Sequence, residues 1–217
     1  MPVIHQRIIA AIDALAAELL EFSHAIHAHP EVAFKEEYAC GLLRETLQHH
    51  GLAASTGVYG LETSLECAFS RAPGPTVALL AEYDALPGVG HACGHNVIAT
   101  ASLGAMLGLH AVAEQLPGTV KLIGTPAEET GGGKELMARA GAFAGIDAAL
   151  MIHPAAVNLP AMPTIGVAEV RVIYHGRAAH ASAQPHQGIN ALDALVLAYQ
   201  AIGNLRQHIR ASERIHG

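Results

Sequence analysis

Three short segments hold side chains of the types that do chemistry. His91-Ala92-Cys93-Gly94-His95 sets a thiol and an imidazole two residues apart, Glu128 and Glu129 are adjacent, and His153 stands directly before Pro154. Thiolate, imidazole and carboxylate together suit zinc or a similar divalent ion. Side-by-side carboxylates repel unless they diverge or a cation lies between them. One then serves naturally as a ligand and the other as a general base. Each segment also has a plainer reading. Cys93 would be a buried cysteine beside a helix-capping histidine. The glutamates would form a solvated acidic turn, and His153 would be a core histidine bonded to backbone.

What lifts the three together is where the chain must place them. Thr76 to Glu82 and Thr119 to Thr125 are short apolar runs that read as buried strands, and Ala148 to Ile152 is a third. Asp84 and the Cys93 loop follow the first, Glu128-Glu129 the second and His153 the third. In open α/β sheets functional groups gather at the C-terminal ends of the strands.

The rest of the chain alternates in the same way. Ile8, Ile12, Leu15, Leu19, Phe22 and Ile26 recur at helical spacing and predict one helix over residues 3–27, ended by Pro30. A second helix is predicted over 35–50, stopped by Gly51, then a strand over 63–69 and a turn over 71–75. Further helices are predicted over 96–116, 134–140 and 190–208. Gly104 and Gly108 on the first of these are read as close packing against a sheet. Residues 164–174 alternate in a half-buried pattern and are read as an edge strand of a second sheet. Strands interleaved with helices predict an α/β fold with a largely parallel sheet. A boundary falls near residue 162, with 1–162 one domain and 163–217 the start of another.

Composition narrows the function. Of 217 residues, 51% are hydrophobic and 14% charged, which is core-forming rather than disordered. The net charge of −7 comes without any basic cluster, which argues against a nucleic-acid partner. Fifteen histidines prompt a search for metal sites. Three cysteines, an odd and sparse count, argue against a disulfide framework and for a reducing compartment. With no secretory leader pattern and no apolar run long enough to cross a bilayer, a cytoplasmic protein without membrane contact is expected.

In order along the chain, His29-Pro30-Glu31, Asp84-Ala85-Leu86-Pro87, Gly90-His91-Ala92-Cys93-Gly94-His95-Asn96, Thr125-Pro126-Ala127-Glu128-Glu129, Gly176-Arg177-Ala178-Ala179-His180-Ala181 and Gly188-Ile189-Asn190-Ala191-Leu192-Asp193-Ala194 resemble the zinc-dependent peptidase family M20, in its amidohydrolase branch. That branch holds aminoacylase-like enzymes, p-aminobenzoyl-glutamate hydrolases and β-alanyl dipeptidases. The resemblance spans essentially the whole chain, as the N-terminal part of the family's longer one. It implies a zinc-peptidase-like mixed, mostly parallel sheet flanked by helices, followed by the start of an inserted α+β dimerisation or lid domain.

By the same resemblance, Cys93, His95, Glu129 and His153 are metal ligands, Glu128 is the general base, and Asp84 orients a ligand. His180 supplies an oxyanion donor from the second domain; its plainer reading is a loop histidine packed under a helix. Two divalent ions are implied, zinc first and manganese as the alternative. The substrate implied is a small dipeptide or N-acyl amino acid, and the full-length chain is expected to be a homodimer. Two departures stand out. Asn96 occupies a position where many branch members carry Asp, which leans toward the β-alanyl dipeptidase and aminobenzoyl-glutamate subgroup. The family's last histidine ligand lies beyond any residue present. The alternatives are a non-catalytic fragment that binds metal or a partner, and an unrelated α/β binding protein.

Overall fold

The computed structural model describes residues 3–161 and 166–217. Contacts divide the chain into two units, Met1–Asn158 and Leu159–Gly217.

The first unit is a five-stranded mixed sheet covered by helices. Its strands are β1 (Ala54–Thr56), β2 (Leu65–Ala72), β3 (Thr76–Glu82), β4 (Gly118–Thr125) and β5 (Ala148–Leu150), in the order β1-β2-β4-β3-β5. β3 runs parallel to both β4 and β5, whereas β1–β2 and β2–β4 are antiparallel. The parallel part is thus the half that bears the three candidate segments. Alternate side chains of β3 and β4 enter different cores. Leu79, Ala81, Val120 and Leu122 pack into the larger one, and Ala78, Leu80 and Ile123 into the smaller. Burial on both faces explains the unbroken apolar runs in the sequence.

The helices are α1 (Val3–Ala14), α2 (Ala16–Ala28), α3 (Glu37–His49), α4 (His95–His110) and α5 (Gly133–Arg139). α3 buries Ala39, Cys40, Leu43 and Leu47, one stripe at helical spacing. The Glu31 carboxylate accepts from the N–H groups of Tyr38 and Ala39 and so caps its first turn. Each fully buried Leu contributes about 1.5–3 kcal/mol.

Several sequence expectations need correction. The single N-terminal helix is two helices, because Leu15 leaves the helical region at ψ 3°. Gly104 and Gly108 face α2 and α1, not the sheet. A Cβ at Gly108 would fall 2.7 Å from Ile12 Cγ1, and one at Gly104 would fall 3.1 Å from Leu19 Cδ1. Apolar periodicity shows that such a helix is buried on several sides but not which neighbour takes which side. β1 was not foreseen; three residues are too few to show alternation.

The second unit holds α6 (Ala191–Leu205), capped by Asn190, whose Oδ1 accepts from the Leu192 N–H at 3.1 Å. The predicted edge strand over 164–174 is not formed in its described part, residues 166–174; residues 164 and 165 lie outside the described residues. Val167, Val170, Val172 and Ile173 are all exposed rather than alternately buried. A strand is stable only through pairing. Among the described residues of this unit the only β contact is the single bridge Arg177–Ile189.

Candidate metal centre

The three parallel strands deliver their C-terminal ends to one place. β3 leads into Tyr83-Asp84, β4 into Pro126-Ala127-Glu128-Glu129, and β5 stops three residues before His153. The Cys93-Gly94-His95 loop begins α4 against them. Gly94 has φ +78°, and a Cβ there would meet Pro154 Cγ at 2.9 Å. Glycine therefore lets the His153-Pro154 segment close onto the Cys93–His95 loop.

His95 is the hub. It is 1% exposed, and its Nδ1 lies 3.0 Å from Asp84 Oδ1. An ionised carboxylate can only accept, so the proton sits on Nδ1 and Nε2 is left as the ligating atom. Around Nε2 are Glu82 Oε2 at 3.3 Å, Glu129 Oε1 at 3.7 Å and Glu128 Oε2 at 3.9 Å. Asp84 also accepts from the Glu129 N–H at 3.0 Å, so one carboxylate fixes both an imidazole and the glutamate turn.

The ligand atoms fall into two overlapping sets. Those of Cys93, His95 and Glu129 lie within 4.8 Å of one another, as do those of Glu82, His95 and His153. The His95 and His153 rings stand edge to face at 5.9 Å, and His153 Nδ1 lies 2.8 Å from Pro154 O, which leaves Nε2 for a ligand.

The polar accounting tests whether cations fit. Glu82 Oε2, His95 Nε2 and Glu129 Oε1 are buried and lack any hydrogen-bond partner among the described residues. Buried polar atoms are almost always paired. Three that converge on one volume, beside a cysteine sulfur and a second imidazole, match the donor set of a divalent transition metal.

The electrostatics point the same way. Burial pushes His95 toward neutrality, but the Asp84 hydrogen bond and the Glu82, Asp84 and Glu129 charges outweigh it, and its pKa is raised. Burial also works to raise Asp84, yet the His95 contact and the Glu129 and Glu128 N–H groups leave it lowered. The neighbouring Glu129 carboxylate, then burial, pushes the Cys93 thiol up to about 11. Glu128 is raised by burial and by Glu82, with Lys134 opposing. The pocket is rich in negative charge, and protons or cations must balance it. Lys134, paired with Glu82, supplies one positive charge.

Residues 78–213 match the peptidase family M20/M25/M40. The chain belongs to that family. It is 43% identical over 230 residues to an Xaa-Arg dipeptidase of Mus musculus, an alignment that covers all of this chain and 53% of that protein. It is 33% identical to a p-aminobenzoyl-glutamate hydrolase polypeptide of Escherichia coli K12, covering all of this chain and 49% of that one. The chain thus spans about half the length of these relatives. Among solved structures, a dinuclear metal-binding peptidase of the M20 family from Bacillus subtilis superimposes with a TM-score of 0.59 at 28% identity, over 63% of this chain and 42% of that one.

In this M20 member the structure brings together Asp84, Cys93, His95, Glu128, Glu129 and His153. Sequence reasoning missed Glu82. The signal was present: an apolar run that ends in a carboxylate inside a parallel sheet needs a partner for that charge. Asn96, the departure from Asp, turns away from the ligands. Its amide donates to Ser23 Oγ on α2 at 3.0 Å. His180 belongs to the second unit. Its Nδ1 accepts from the Ser182 and Ala183 N–H groups at 3.3 and 3.2 Å, which places its proton on Nε2, ready to donate. Among the described residues no helix is long and apolar enough to cross a membrane.

Proposed function

We propose that this chain carries the metal centre of an amidohydrolase that cleaves small dipeptides or N-acyl amino acids. The observation that carries the reading is the convergence of Glu82 Oε2, His95 Nε2 and Glu129 Oε1, all buried and unpaired among the described residues, from the C-terminal end of β3, the start of α4 and the turn after β4. Cys93, His95, Glu129 and His153 would hold two divalent cations, with Glu82 facing the same volume. The sulfur ligand favours zinc, while the carboxylates also accommodate manganese.

Held by these residues, divalent cations would supply Lewis acidity, which acidifies water and polarises a carbonyl. Glu128, with its raised pKa, takes the proton from the attacking water and passes it to the leaving nitrogen. The products are a carboxylic acid and an amine. Asp84 holds His95 and the Glu129 backbone in place throughout. His180 Nε2–H is a donor suited to the developing oxyanion. The Xaa-Arg dipeptidase relative directs the first substrate screen to dipeptides with a basic C-terminal residue. A cytoplasmic homodimer completes the reading.

Elemental analysis of the purified protein tests it. We expect near-stoichiometric zinc or manganese, lost in Cys93→Ala and Glu129→Ala and kept in Glu128→Ala. In the full-length polypeptide, Glu128→Ala loses turnover by about 10²–10⁴-fold. A metal-free wild-type protein, or an active Glu128→Ala variant, would refute the assignment.

A further inference from the structure

Glu36 takes no part in the centre, yet it is fully buried at the start of α3. Its carboxylate has three donors. Oε1 accepts from the Phe34 N–H at 3.0 Å and the Ala127 N–H at 2.9 Å, and Oε2 from Thr63 Oγ at 2.7 Å. Phe34 and Ala127 share a rare backbone state, with φ +63° and +57°. Among the described residues only Tyr59 joins them as a non-glycine residue with positive φ. Side chains other than glycine avoid this region, and such residues persist only where the surroundings over-determine them. Here two of the three donate to one oxygen atom.

Ala127 immediately precedes Glu128, so its left-handed turn sets the direction in which Glu128 leaves β4. A second contact joins the same two segments. A Cβ at Gly131, itself at φ +117°, would fall 2.5 Å from Phe34 Cε2. The Phe34 ring therefore lies directly on the backbone that follows Glu129. The segment 34–36 grips the glutamate turn on both sides, by a carboxylate before Glu128 and by a ring after Glu129.

We propose that Glu36, with Phe34, is the positioning element of the glutamate turn: it holds Ala127 left-handed and thereby aims the Glu128 carboxylate at the centre. This rests on the reading of Glu128 as the general base. Glu36 touches neither substrate nor ligand atoms and acts through Ala127. The geometry makes a specific demand on the side chain at 36. Glutamine can meet it, with its carbonyl oxygen on the two N–H groups and its NH₂ donating to Thr63 Oγ. Alanine cannot; it leaves the buried Ala127 N–H unpaired and takes from the Phe34 N–H its acceptor.

The test compares Glu36→Ala, Glu36→Gln and Phe34→Ala in the full-length polypeptide. Hydrogen exchange of residues 126–133 is read against β4 as internal reference, with metal content, kcat and KM measured on an Arg-ending dipeptide. Glu36→Ala should speed exchange across 126–133 by about tenfold or more, with β4 unchanged. It should lower kcat by about 10–100-fold with KM and metal content preserved. Glu36→Gln should stay within about threefold of wild type on both readouts. Phe34→Ala, which removes a partly exposed ring and no buried charge, should also loosen 126–133; it supplies the comparison if Glu36→Ala does not fold. Unchanged exchange across 126–133 in Glu36→Ala or Phe34→Ala would overturn the proposal. So would equal losses in the Ala and Gln variants with β4 loosened alongside. A wild-type protein that binds metal but hydrolyses no amide would refute the general-base reading alone, since exchange still reports on the grip.

Discussion

Asp84 Oδ2 accepts from the backbone N–H of Glu129 at 3.0 Å, across 45 residues of sequence. The same carboxylate holds His95 Nδ1 through its other oxygen. Two prospective ligands from different elements are thus oriented by one buried side chain. In Asp84→Asn, one of the two donors meets an NH₂ group instead of an oxygen. Losing such an orienting partner lowers metal affinity by about 10–100-fold. Competition with a chromophoric chelator measures this directly, and an unchanged zinc affinity would show that Asp84 orients nothing.

Cys93 is the one ligand candidate that distinguishes this centre from an all-nitrogen-and-oxygen site. Its thiol sits at about 11, so it binds a cation only by giving up a proton that the nearby carboxylates help retain. Cys93→Ser keeps the size but not the sulfur. Cobalt-substituted wild-type protein should show a thiolate-to-metal charge-transfer band that the serine variant lacks, with weaker zinc retention in parallel. The same spectrum in both proteins would remove Cys93 from the ligand set.

The centre was more legible in the sequence than the packing around it. β3 and β4 are buried on both faces, so they appear as unbroken apolar runs whose ends locate Asp84 and Glu128-Glu129. Cys93 and His95 announce themselves by type and spacing. Glu82 was hidden because a single charge at a strand end looks like the start of a turn. Glu36 was hidden more deeply, since its partners Thr63 and Ala127 lie 27 and 91 residues away. Nothing local marks a glutamate at a helix start as the residue that holds a distant turn. The strand read over 164–174 shows the opposite failure, in which alternation is present but no pairing partner exists among the described residues.

Glu36 also makes a pH prediction. Burial raises its pKa above 4.5, and its three hydrogen bonds only partly offset that. For an acid with a raised folded-state pKa, the stability tied to the protonated form is present below the unfolded value. It is lost as pH rises through the folded value. Glutamine does not titrate. The stability of Glu36→Gln relative to wild type should therefore grow as pH rises from below 4.5, then level off above the folded pKa of Glu36. Urea unfolding of both proteins over a pH series measures the gap. A gap that shrinks with rising pH would mean that the three donors outweigh burial.

Gly104 and Gly108 share one face of α4, and their substitution by alanine should have opposite signs. Replacing a mid-helix glycine with alanine gains about 0.8–1.0 kcal/mol in helix propensity. At Gly104 the new Cβ meets only Leu19, with Cδ1 at 3.1 Å and Cδ2 at 3.7 Å, the far end of a side chain that can rotate aside. The propensity gain should win, and Gly104→Ala should be more stable than wild type. At Gly108 the Cβ meets Ile12 Cγ1 at 2.7 Å and Cδ1 at 2.9 Å, with Ile8 Cγ2 at 3.2 Å. These are β-branched residues with little freedom at χ1, and overpacking of this kind costs about 1–3 kcal/mol. That exceeds the gain, so Gly108→Ala should be less stable by up to about 2 kcal/mol. Both sites lie away from the ligands, so zinc content should not change. Urea unfolding that ranks Gly108→Ala above Gly104→Ala would show that α1 yields to α4 more easily than its contacts imply.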